Sequence, residues 1–105
     1  MTQENNEKQI TLQNIKDYLT ERGYEDAVVF DSTLGYDYAT AFVGVSEDGR
    51  AIYDYEKMVE FIVNTGDMDE EGAIEWIDYN TIRALPYAGS MAPIIMYPID
   101  INDLL

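Results

Sequence analysis

The fold turns on the stretch Tyr38-Ala-Thr-Ala-Phe-Val-Gly-Val-Ser-Glu-Asp-Gly-Arg-Ala-Ile-Tyr-Asp54. Two apolar runs rich in β formers flank Ser46-Glu47-Asp48-Gly49, a cluster of turn residues with Gly49 where a positive φ is expected. The pattern predicts an antiparallel hairpin, with one strand over Tyr38–Val45 and its return over Arg50–Tyr53. Asp54 then has the chemistry of a helix N-cap, a short carboxylate just ahead of a stretch with helical periodicity. Tyr55, Met58, Val59 and Ile62 form the apolar stripe of that helix, and Gly66 ends it.

Upstream, Thr11 reads as an N-cap, and Leu12, Ile15, Tyr18 and Leu19 share one helical face. A helix is therefore expected over 11–22, with Gly23 just past its end. Ala27–Phe30 is a short apolar run with two β-branched residues and predicts a strand before the hairpin. Downstream, Asp69 caps a third helix on which Ala73, Trp76, Ile77 and Asn80 lie on one side, a line that Ala84 continues. Pro86 predicts its end near Leu85. Tyr87–Ala92 reads as a loop containing Gly89. Ile94–Tyr97 reads as a fourth strand, short and at an edge because Pro93 and Pro98 bound it. Asp100–Leu105 is expected to form one helical turn. Residues 1–10 are expected to fray, leaving one domain over 11–105. The order α-β-β-β-α-α-β predicts an α+β fold in two layers, a mostly antiparallel four-stranded sheet with helices on one face.

Composition excludes several functions. The 105 residues hold 21 Asp+Glu against 6 Lys+Arg, a net charge of −15, with no His and no Cys. There is no thiol nucleophile, no cysteine–zinc site, no imidazole base and no Ser-His-Asp triad. Ser90 lacks the flanking pattern of a nucleophile elbow, and Gly35, Gly44 and Gly49 are too scattered for a phosphate loop. A catalytic carboxylate pair is allowed by residue type. A chain this short, however, has little material for a cleft as well as a core. The reading is non-enzymatic, without cofactor or metal. The charge opposes direct binding to nucleic acid and to anionic membrane surfaces, which need Lys and Arg. The polar, acidic start has neither the basic region nor the apolar run of a signal peptide, so the expected compartment is the cytoplasm.

The charge has a location. No cation falls between Lys57 and Arg83, and that interval holds Glu60, Asp67, Asp69, Glu70, Glu71, Glu75 and Asp78. One reading is a solvated helix start, whose first-turn acids complement the macrodipole by about 0.3–1 kcal/mol each. The other is a surface for a basic protein partner, in its sharpest form a DNA mimic that blocks a nucleic-acid-binding or defence protein. Asp67, Asp69, Glu70, Glu71, Glu75 and Asp78 would carry it. Tyr36, Tyr38 and Tyr55, each beside an aspartate, would supply aromatic contacts. The alternative for these tyrosines is a half-buried strand end. A different class of function is a structural or regulatory homodimer joined through the edge strand at 94–97.

Residues 67–78 also fit the oxygen spacing of an EF-hand loop, with Gly72 at its sixth position. Glu71 and Asp78 are the wrong acids for their positions, and a helix start at Asp69 uses Trp76 and Ile77 better. Three further residues are read as structural. Asn80, on the apolar stripe, is expected to hold the Leu85–Pro86–Tyr87 break. Arg83 is expected to pair with a carboxylate. Pro86 is the helix stop.

Three stretches resemble a known group. They are Val45-Ser-Glu-Asp-Gly-Arg-Ala-Ile-Tyr-Asp-Tyr-Glu-Lys-Met-Val-Glu60, Ala73-Ile-Glu-Trp-Ile-Asp-Tyr-Asn-Thr-Ile-Arg-Ala-Leu-Pro-Tyr87 and Ala92-Pro-Ile-Ile-Met96. Together they are similar to small acidic proteins of gut Firmicutes and their mobile elements, over residues 15–98, with Tyr79–Tyr87 the most specific block. No activity is attached to that group, so the resemblance implies no catalytic or binding residue. Its members often have Thr at the position of Asp69 and no Gly at 72, which favours the helix start over the EF-hand. A setting in mobile elements would suit a protein that blocks a host or rival nucleic-acid enzyme.

Overall fold

Phe42–Val45 (β1) and Ala51–Asp54 (β2) form the antiparallel hairpin, in the register Phe42↔Tyr53, Gly44↔Ile52 and Val45↔Ala51, irregular between Phe42 and Gly44. Gly49 closes the turn at φ 86°, and the Ser46 amide donates to the Arg50 carbonyl at 2.8 Å. These coordinates come from a computed structural model that describes residues 9–105. Of the expected N-terminal fray over 1–10, residues 1–8 lie outside the described part.

Each helix begins where short-range chemistry dictates. Leu12–Glu21 (α1) starts at Thr11, whose Oγ1 accepts the Asn14 amide while Asn14 Oδ1 accepts the Thr11 amide at 2.9 Å. Tyr55–Thr65 (α2) is capped by Asp54, which accepts the Lys57 amide, and it ends on Gly66 in the left-handed region at φ 84°. Glu70–Trp76 (α3) is capped by Asp69, which accepts the Gly72 amide at 2.9 Å. A helix of seven residues depends heavily on its cap. Asp69→Ala is therefore expected to cost about 1 kcal/mol, read as a lower denaturant midpoint at unchanged m-value.

The fold is α+β, but its sheet has three strands and is mixed. Ile94–Met96 (β3) pairs parallel to β2, giving the strand order β1-β2-β3. The chain leaves β2 directly into α2, continues through α3, and returns across these helices. A crossover of that kind delivers a parallel strand, whereas an antiparallel one needs only a short turn. Ala27–Phe30 is not a strand, because its amides are bonded elsewhere: Val28 donates to the Met91 carbonyl at 3.1 Å and Phe30 to the Tyr53 hydroxyl at 3.3 Å. The element order is therefore α-β-β-α-α-β. The strand expected to begin at Tyr38 begins at Phe42. Tyr38 itself is left-handed at φ 49° and leads into a 3-10 turn over Ala39–Ala41.

After Trp76 the third helix widens into a π turn over Ile77–Thr81, then tightens into a 3-10 arm over Ile82–Ala88. Pro86 lies inside this arm and does not end it, because the fixed φ of proline suits a 3-10 backbone. The loop expected from Tyr87 starts only after Ala88, at Gly89. The chain's last helical turn, Ile101–Leu104, is capped by Asp100.

The main core holds Tyr38, Tyr53, Met58, Ile62, Ala73 and Ile77, with Val29 and Phe30 packed on it. Ile15 and Leu19 of α1 form a second cluster with Ala39, joined to the first by Val29 and Phe42. Among the described residues no helix is long and apolar enough to cross a membrane.

Candidate partner-binding face

Asp69 and the acids of α3 sit where the cap and the apolar stripe force them. Ala73 and Ile77 face the core, so Glu70, Glu71, Glu75 and Asp78 turn to solvent. All six predicted acids are exposed. Three of them have internal partners. Asp67 accepts the Tyr36 hydroxyl at 2.9 Å, Asp78 accepts the Tyr55 hydroxyl at 2.9 Å, and Asp69 caps α3. Glu70, Glu71 and Glu75 make no side-chain hydrogen bond or ion pair among the described residues. The ion pairs found there are Arg22–Glu21 and Arg50–Asp48, both 3.9 Å long. Glu71, Glu75 and Asp78 stand at i, i+4 and i+7, a ladder of carboxylates along one helical edge.

Beside this ladder runs a broad open groove lined by Gly72, Glu75, Trp76, Asp78, Tyr79, Asn80 and Arg83. Trp76 forms its aromatic wall. The indole is held from behind by Tyr36, whose ring meets it edge-on with centroids 5.0 Å apart. An aromatic wall with carboxylates on the rim is suited to a guanidinium or ammonium group, which gains a cation–π contact and a charge-assisted hydrogen bond together.

The predicted tyrosines are placed differently from one another. Tyr38 is only 1% exposed and offers no surface to a partner. The left-handed turn at Tyr38, with Asp37 accepting the Ala39 amide, swings this side chain into the core. Tyr36 is half-buried, and its hydroxyl is pushed up from its ordinary pKa by burial and then by the Asp67 bond. Tyr55 is half-buried against Tyr97, and burial followed by the Asp78 bond pushes its hydroxyl up to about 12. Tyr79, which lines the groove, is 67% exposed, and Tyr87, further along the chain in the 3-10 arm, is 89% exposed. Sequence reasoning missed both, although Tyr79 lies off the Ala73–Ile77 stripe and was legible in that way.

Two structural expectations are corrected. Asn80 is exposed and donates to the Trp76 carbonyl at 3.1 Å; it does not reach the Pro86 region. The π turn carries the next inward position one residue further, so Thr81 takes the buried place expected for Asn80. Arg83 lies over the Tyr79 ring at 4.7 Å and is in no ion pair among the described residues. A planar guanidinium stacks readily on an aromatic face four residues earlier. The EF-hand frame is taken by helix: Glu71, Gly72 and Glu75 belong to α3. Among the described residues no three His, Cys, Asp or Glu side chains converge as metal ligands would.

The chain matches no protein-family model, no curated protein and no solved structure.

Proposed function

We propose that this chain is a non-enzymatic binding domain that takes a basic protein partner on α3 and the arm that follows it. The observation that carries the reading is the set of three carboxylates, Glu70, Glu71 and Glu75, without internal partners beside the Trp76 groove. Tyr79 adds exposed aromatic area to the groove, and Tyr87 adds it to the arm. The sharper form is a DNA mimic. Spread over the 43 Å longest extent, 15 charges fall one per 43/15, about 2.9 Å, sparser than the ~1.7 Å of duplex DNA. A mimic would therefore have to draw on one dense face. The Asp69–Asp78 stretch, with five acids over nine helical steps of about 1.5 Å, or one per roughly 3 Å, is no denser than that average and matches the spacing of a single strand only. One strand of DNA has a charge each ~3.4 Å.

The test is affinity capture from the source cell, with the bound proteins identified and the salt raised in steps. E70K/E71K/E75K should lose basic partners that the parent chain retains, because those side chains have no internal bond to break. Reversing Glu25 and Asp26, exposed acids after α1, should leave capture nearly unchanged. Equal loss from both reversals would sink the proposal, since net charge and not a face would then be responsible. A second reading is a homodimer through β3. It is favoured by the edge position of that strand and by the exposed Tyr97, Ile99, Ile101, Leu104 and Leu105 beyond it. A dimer that persists unchanged from low to high salt would support it.

A further inference from the structure

A second concavity, independent of the acidic face, lies between residues 28–33 and the arm Ile82–Ala88, with Pro93 at one side and a volume of about 360 Å³. Its walls are mostly apolar, formed by Val28, Phe30, Ala84 and Leu85 among others. The volume falls near the lower end of the range of roughly 300–1,000 Å³ in which small-molecule pockets are found.

Tyr38 and Thr81 are both among its lining residues, and each carries a hydroxyl. Tyr38 Oη and Thr81 Oγ1 stand 2.9 Å apart, and both residues are more than nine-tenths buried. Each hydroxyl has one proton, and their mutual bond uses only one of the two. Neither oxygen makes another hydrogen bond among the described residues. Whichever oxygen donates to the other, one O–H remains with no acceptor. That proton has no protein acceptor among the described residues, so an acceptor arriving in the cleft has a ready partner. Burial pushes the Tyr38 hydroxyl up to about 12, which keeps it a neutral donor throughout the physiological range. At the mouth stands Asp31, whose carboxyl is held below its ordinary pKa by hydrogen bonds from Thr33. This charge repels anions.

We infer that the cleft is a binding site for an uncharged, mostly apolar small molecule carrying one carbonyl oxygen, which accepts the spare proton of the Tyr38–Thr81 pair. The apolar body replaces water along the Phe30 and Leu85 walls, and the carbonyl sets the orientation.

Acetophenone, isopropylbenzene and benzoate probe this directly, since they share a ring and differ in acceptor and charge. Titrations are followed through the backbone amide resonances of the intact chain. Acetophenone should give saturable shifts at Phe30, Thr81 and Ala84. Isopropylbenzene should bind about fivefold more weakly, the worth of one net hydrogen bond, and benzoate more weakly still. Y38F and T81V should each keep the ketone preference, because each leaves one hydroxyl free to donate. Y38F/T81V should abolish the preference while isopropylbenzene binding persists, which also shows that the cleft remains folded. A84W should fill the cleft and remove all saturable binding. Lack of saturable shifts with both neutral probes would overturn the inference. So would a ketone preference that survives in Y38F/T81V, binding unaffected by A84W, or benzoate binding as tightly as acetophenone. Protection of the cleft by a captured protein, with no effect of the small probes, would also overturn it by assigning the cleft to a side chain of that protein.

Discussion

Gly35→Ala is expected to cost about 3–4 kcal/mol, a large share of the margin of a small domain, whose net stability is typically about 5–15 kcal/mol. Two independent effects meet at this residue. Its backbone sits at φ 122° and ψ −63°, a region open to glycine and strained for every L side chain, at roughly 1–3 kcal/mol. A Cβ there would also lie 2.5 Å from Cη2 and 2.8 Å from Cζ2 of Trp76. The indole is not the far end of a flexible chain; it is wedged by the Tyr36 ring and must move as a unit. Overpacking of that kind costs about 1–3 kcal/mol. The two contributions separate in a double-mutant cycle with Trp76→Leu, measured by urea unfolding. G35A should cost less in the W76L background by roughly the overpacking share, because the backbone strain remains. An equal cost in both backgrounds would mean that the ring yields freely and that φ alone matters. The residue ties the core to the acidic face, since Trp76 is the wall of the groove beside Glu75 and Asp78. G35A should therefore also disturb the amide resonances of α3.

What the sequence makes legible here is short-range. Thr11, Asp54 and Asp69 cap their helices because the bonds they make span three residues and need nothing from the rest of the chain. The Ser46–Gly49 turn and the Gly66 stop are decided in the same way. The acids of α3 are exposed as read, because the Ala73–Ile77 stripe leaves them no other direction. The misreadings share a long-range cause. Val28 and Phe30 have strand composition, yet their amides are taken by Met91 and by a tyrosine hydroxyl. Nothing local announces those partners. The parallel pairing of β3 follows from where the chain goes after β2, a matter of topology. Asn80 and Thr81 exchange places because a π turn shifts the register, and an α-helical wheel has no means of representing that shift. Tyr36 and Tyr38 look alike beside Asp37, but a positive φ at Tyr38 buries it, and only a fully packed core sustains that conformation in an aromatic residue.

The buried tyrosines also predict a steep loss of stability in alkali. Tyr38 is 1% and Tyr53 0% exposed, and burial, the leading cause in both, pushes each hydroxyl from 10.0 up to about 12. The folded state therefore holds these protons more tightly than the unfolded chain does. The stability that comes from keeping the phenols neutral is fully present below pH 10 and is lost as the pH rises through about 12. A difference of that size is worth roughly 3 kcal/mol for each residue. Together they approach the net stability of the whole domain. The denaturant midpoint should thus stay nearly level up to pH 10 and then fall sharply, with phenolate absorbance rising in step with the loss of structure. Y53F supplies the check. It removes the acceptor of the Phe30 amide, so it should cost about 1 kcal/mol at neutral pH. It also removes one of the three hydroxyls held at about 12, those of Tyr38, Tyr53 and Tyr55, so the alkaline slope should become shallower by about a third. A parent chain whose midpoint stays level to pH 12, or a Y53F variant with an unchanged slope, would show that water reaches these hydroxyls in the native state. In the first of these outcomes the loop from Gly35 to Tyr38 would not be closing the core over them.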